Sequence, residues 1–205
     1  MHIEAGIVQG VKMALSYGTA AVVFGIAAKE SLNLIKKEGF LPLVTKSIMT
    51  TILVFCFFQV LPHHFIGVSE VHLILGSSLF LIFGVAPAAI GLASGLLVQG
   101  LFFAPIDLPQ YSINVTTLLA PLFVMAYLAS KIISQNTTYQ DLKYFQVLKL
   151  SLAYQGGIVA WVAFWVLYGQ GFGVENLTQV FTFALAYMSV VILEPMIDLA
   201  LLFGV

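Results

Sequence analysis

Long apolar runs alternate with short polar breaks along the whole chain. A helix that crosses a bilayer needs about 20 mostly apolar residues. Seven runs approach that length: residues 11–28, 43–61, 71–85, 88–103, 115–133, 148–168 and 177–203. The third and fourth are short and meet at Val85-Ala86-Pro87. Together they exceed one span, so they are read as two helices joined by a tight turn. The pattern predicts an all-α polytopic membrane bundle. No internal repeat or linker divides it, so residues 1–205 are expected to form a single integral membrane domain.

Composition sharpens this reading. Of 205 residues, 60% are hydrophobic and only 8% charged, with a mean hydropathy of +1.04. Soluble domains carry roughly 25% charged residues, so this chain cannot cover a water-facing surface. A multi-pass protein of the cell inner (plasma) membrane is expected. The net charge of -1 argues against nucleic acid as a partner. All eight basic residues are Lys, which leaves no guanidinium for bidentate phosphate recognition. The lone Cys56 lies in an apolar run and reads as a buried, inert thiol. The opening M-H-I-E-A-G lacks a basic stretch ahead of an apolar core, so no cleaved signal peptide is expected. A bulky His2 is also expected to protect Met1 from removal.

Charge orients the bundle. Lys29, Lys36, Lys37 and Lys46 fall in one break, and Lys131, Lys143 and Lys149 in another. The positive-inside rule makes that side cytoplasmic. Seven spans then place the N-terminus outside and the C-terminus inside. All four histidines and four of the nine acids fall outside. The outer segments carry His2 and Glu4, then His63, His64 and Glu70 leading into His72, then Asp107, and finally Glu175.

The outer histidines are the candidate chemistry. The Met1 amine, the His2 amide nitrogen and the His2 imidazole Nδ1 close adjacent five- and six-membered chelate rings on one ion. Planar nitrogen donors suit Ni(II), Cu(II) or Co(II). His72, at the expected start of the third helix, would complete a four-nitrogen set if the N-terminal segment folds into the bundle. Polar groups at membrane depth are costly and tend to be functional, although a histidine there can also serve a loop carbonyl. His63 and His64 are neighbours and rarely point the same way. One of them is a candidate for the metal or its access path. Glu70 and Asp107 could supply oxygen ligands, attract cations or orient an imidazole. They could equally be solvated loop acids.

Two further features call for partners. Ala14, Gly18, Ala21, Gly25 and Ala28 recur every four or three residues along the first helix, a stripe that lets another helix approach closely. That helix belongs either to this bundle or to a separate membrane subunit. Gly91-x-x-x-Gly95 reads as internal packing. Glu194 and Asp198 share a face near the expected cytoplasmic end, where pairing with inner Lys is anticipated, and Pro195 is expected to kink that helix. The familiar hydrolase, zinc-protease, haem-attachment and nucleotide motifs are absent. The chain therefore reads as a non-enzyme, and ATP-driven transport would need another subunit.

These residues resemble a family. The opening M-H-I-E-A-G is similar to the M-H-I-x-[DE]-G start of CbiM/NikM-type proteins, the cobalt- or nickel-binding membrane subunits of energy-coupling-factor (ECF) ABC transporters. G-V-S-E-V-H-L-I-L-G at residues 67–76 resembles that family's Ser-containing loop and H-L-x-G-G, and L-V-Q-G-L-F-F at 97–103 resembles its L-V-Q-A-L-L-F. Asn114 is similar to the first Asn of its G-A-N-x-x-N motif, and Glu194 to a Glu in its last helix. The chain departs from the pattern at Ala5, Thr117, Tyr187 and Pro195, and His63-His64 is an addition. The resemblance implies a divergent substrate-binding permease subunit for Co2+ or Ni2+, with the ion held by Met1, His2 and His72. It also implies a transmembrane coupling subunit and ATPase subunits as partners. Besides the bound ion, no cofactor is expected. The alternatives are a stand-alone metal transporter or channel, a metal- or haem-binding redox or enzyme subunit, and a structural membrane partner without a ligand.

Overall fold

The computed structural model describes residues 3, 6–133, 137 and 141–203. Its long helices are α1 (Met13–Glu38), α2 (Phe40–Phe55), α4 (Val85–Phe102), α5 (Tyr111–Ile132), α6 (Tyr144–Gln170) and α7 (Val174–Met188), the last followed by α8 (Val190–Phe203). Between α2 and α4 lie a π turn (Cys56–Val60), a hairpin of β1 (His64–Ile66) and β2 (Ser69–Val71), and the short α3 (Gly76–Phe83). Among the described residues, six helical stretches are long and apolar enough to cross a membrane. The protein is an all-α, multi-pass membrane bundle, consistent with the plasma membrane.

The expected third span, residues 71–85, is corrected. Only Gly76–Phe83 is helical, eight residues, or about 12 Å of helix. The chain nevertheless crosses there. Thr50 packs on Gly91 and Val54 on Gly95, so α2 and α4 advance in the same direction. Parallel neighbours require a return crossing between them. An irregular stretch, residues 72–75, followed by α3 supplies it. Non-helical backbone at membrane depth must find partners within the protein. Ile74 N–H donates to His72 O at 3.0 Å, and Gln155 Nε2 donates to Ile74 O at 2.8 Å.

Glu194 closes this broken crossing. The expectation that it pairs with inner Lys is overturned, because its carboxylate is fully buried in the bundle. It accepts the Ser77 and Ser78 amides at the start of α3, at 2.9 and 3.4 Å, together with Ser151 Oγ at 2.6 Å and Gln155 Nε2 at 2.9 Å. A carboxylate suits the positive end of a helix, and these donors satisfy both of its oxygens. The side chain of Asp198 lies outside the described residues. The last helix runs on through Pro195, and its interruption falls at Ser189.

Helices α4 and α5 form the buried centre, while α1, α2 and α7 lie at the periphery. Ser16 Oγ meets Ser112 Oγ at 2.7 Å between α1 and α5, and Trp161 Nε1 donates to Thr116 Oγ1 at 3.2 Å between α6 and α5. Gly91 and Gly95 are internal packing as expected: a Cβ at either would collide with α2. The small-residue stripe of α1 faces away from the bundle. Ala14, Gly18, Ala21, Gly25 and Ala28 are all exposed, while Ser16, Ala20, Val23 and Ala27 form the buried face. Cys56 is a free, half-buried thiol rather than a buried one.

Candidate metal centre

The outer end of the bundle is closed by the N-terminal segment, the hairpin and the Pro105–Gln110 turn. Ile3 is fully buried. Its N–H donates to Asn114 Oδ1 at 3.0 Å, and it forms an antiparallel bridge with Ser69. Asn114 sits in the first turn of α5 and is itself buried. Ile7 and Val8 are buried too. Lys12 Nζ donates to Gly169 O at 2.8 Å, fastening the start of α1 to the end of α6.

The hairpin sets the histidine geometry. Gly67 takes φ +65 in its two-residue turn. A glycine at this first turn position matches the twist of paired strands. Close packing on Gln179 O and Phe183 also leaves no room for a Cβ there. The register pairs His64 with Val71. Continuing it outward by one residue brings His63 opposite His72. Their rings are stacked, with centroids 4.8 Å apart and planes inclined by 10°. Phe58, placed by the π turn, meets His72 edge-on at 5.0 Å. Such a turn is rare and frequently marks a functional site.

His72 is fully buried, and it lies in the irregular stretch before α3 rather than at the start of a helix as expected. Its Nε2 stands 3.4 Å from Glu70 Oε2. One donor atom each from His63, Glu70 and His72 lie within 4.8 Å of one another. His63 is exposed, and its Nδ1 lies 3.3 Å from Leu61 O. His64 is also exposed and stays outside this group. Asp107 is half-buried at the same end, where it feels the charge of Glu70, and a small void separates it from Asn114. Met1, His2 and Glu4 lie outside the described residues.

Among the described residues, the arrangement gathers borderline nitrogen donors and a carboxylate at one end of the bundle. Sequence reasoning missed Ser69, which holds Ile3, and the pairing of His63 with His72. The signal for the pairing was present. A Gly-Val turn flanked by short strands places residues 63 and 72 across from each other. Tyr187, where the family pattern carries a His, is buried and stacks on Phe183 at 5.2 Å. Thr117, at the second Asn position of that pattern, donates to Ile113 O at 2.9 Å.

Residues 2–203 match the family model CbiM, the cobalt uptake substrate-specific transmembrane region. No curated protein and no solved structure was found to match the chain.

Proposed function

The chain belongs to the CbiM family, and from its geometry we propose that it captures Co2+ or Ni2+ at its outer face through the Met1 amine, the His2 amide and imidazole, and His72. The observation that supports this most is the placement of Ile3. Its buried N–H on Asn114 and its bridge to Ser69 hold residue 3 inside the bundle. A trans peptide keeps the Cα of residue 2 about 3.8 Å from that of residue 3. Ser69 lies three residues before His72 on the hairpin's second strand and its continuation. This supports a site in which the Met1 and His2 nitrogens meet His72 at one end of the molecule.

A nitrogen site of this kind favours Co2+ and Ni2+ over Mg2+ and Ca2+, which prefer oxygen ligands. The protein acts as a transport component rather than an enzyme. Lacking a phosphate-binding loop, it takes its energy from ATPase subunits through a transmembrane coupling subunit. The exposed α1 stripe at Ala14, Gly18, Ala21, Gly25 and Ala28 is the docking face for that subunit. Release inward then requires the partners to reopen the bundle. Asp107 attracts the incoming cation, and Glu4 is a candidate for orienting the N-terminal segment.

The test is Co2+ binding to the full-length protein in detergent, in native form, as His2→Ala, and with three residues added before Met1. Three residues are needed because a single one would make the histidine third. Its ring would still close a chelate with the new amine through two amide nitrogens. Both altered forms are expected to lose tight binding. Native affinity in the extended form would remove the amine from the site.

A further inference from the structure

The amine chelate leaves His63 and Glu70 without a role, yet the fold brings both to His72. We propose that His63, Glu70 and His72 form a second, outer acceptor site for a divalent transition-metal ion, from which the ion passes to the amine site with His72 shared between them. This rests on the reading given above for the amine chelate.

The geometry separates the two sites. An imidazole binds metal in its ring plane, through either of two nitrogens on different edges. The proposed chelate already has four nitrogen donors, so His63, which lies on the face of His72, is left over as a donor for a separate site. Glu70 already approaches the Nε2 edge of His72 at 3.4 Å. That edge is the meeting point for an exposed imidazole and a carboxylate; when the ion passes to Nδ1 in the inner set, the ring proton moves from Nδ1 to Nε2, where Glu70 accepts its hydrogen bond. His63 is prepared for ligation. With Nδ1 directed at Leu61 O, 3.3 Å away, its Nε2 keeps the lone pair, the usual arrangement for a metal-binding histidine.

Distance sets the adjustment needed. Two donors at about 2.1 Å from one ion are at most about 4.2 Å apart. The widest donor separation here is 4.8 Å. Closing it needs about 0.6 Å or more, together with a turn of the His63 ring out of its stack. His63 is exposed and precedes β1, so its ring can turn toward solvent. A mixed nitrogen and oxygen site that must close in this way binds more weakly than the amine chelate and exchanges with solvent faster. Those are the properties of a loading station.

The experiment uses the full-length protein in detergent with the three-residue extension silencing the amine, and follows Co2+ by its ligand-field absorption. The extended form is expected to keep one weaker Co2+ site. His63→Ala and Glu70→Gln in that background each weaken it by at least about tenfold, whereas His64→Ala does not. With the amine free, His63→Ala slows Co2+ association about tenfold. If the extended form binds no Co2+ while the native protein does, the outer site is refuted and the amine reading stands. If the extended form keeps native affinity, the amine reading fails. Loss of that binding on His63→Ala then still supports the outer site, and its survival overturns it.

Discussion

Asn114→Ala tests whether the contact that holds Ile3 in the bundle is coupled to metal capture. Asn114 Oδ1 accepts the Ile3 N–H at 3.0 Å, and both residues are buried. The substitution leaves that N–H buried without its acceptor, a cost of about 1–3 kcal/mol. The cost falls on the docked arrangement only, since an undocked segment hydrogen-bonds to water. At about 1.4 kcal/mol per factor of ten, the apparent Co2+ affinity drops by about 5- to 150-fold when the docked state is not already in large excess. The assay is Co2+ titration against a competing chelator in detergent. Thermal unfolding of the metal-free protein serves as a control for the bundle, which should shift little because the released Ile3 N–H can hydrogen-bond to water once the segment undocks. A dissociation constant within about twofold of native, with the bundle intact, would refute the claim that this contact is coupled to metal capture.

Other substitutions read different parts of the fold. Glu194→Gln exchanges an acceptor oxygen for an amide that faces donors, either the Ser77 and Ser78 amides or Gln155. It should lower stability by about 2–3 kcal/mol, seen as earlier thermal unfolding, and an unchanged midpoint would count against the carboxylate as the α3 cap. Gly91→Leu should drive α2 from α4 and destabilise by about 1–3 kcal/mol or more. Gly18→Leu meets open space, so it should leave the isolated chain's unfolding unchanged and instead abolish co-purification with a coupling subunit. Co2+ binding should weaken as pH falls, tenfold per unit for each proton the ion must displace. Calorimetry in buffers of different ionisation heat should therefore detect proton release from the amine and amide, and its absence would exclude amide ligation.

How much was legible beforehand can be argued from single elements. The GxxxG of α4 and the stripe of α1 have the same composition, yet one is internal and the other external. Which it is depends on the rotation of each helix against its neighbours, and periodicity alone does not contain that. The run at residues 71–75 is apolar and reads equally as helix or extended chain. It is non-helical because Gln155 and Glu194, from helices far along the chain, supply partners to its backbone and to the start of α3. Glu194 looked like an interfacial acid because a carboxylate near a predicted helix end is usually solvated. The four donors that hold it come from residues 77, 78, 151 and 155.

Hydropathy determined, from the sequence alone, that this is a membrane-spanning helical protein, and lysine placement set the expectation that its histidines lie on the outer side. Both follow from transfer free energies, which are properties of each segment by itself. Only the tertiary structure decided that Ile3 is buried on Asn114, that His63 stacks on His72 and that the third crossing is broken. Those depend on hydrogen bonds and ring contacts between distant segments, whose pairing is set by packing and not by local composition.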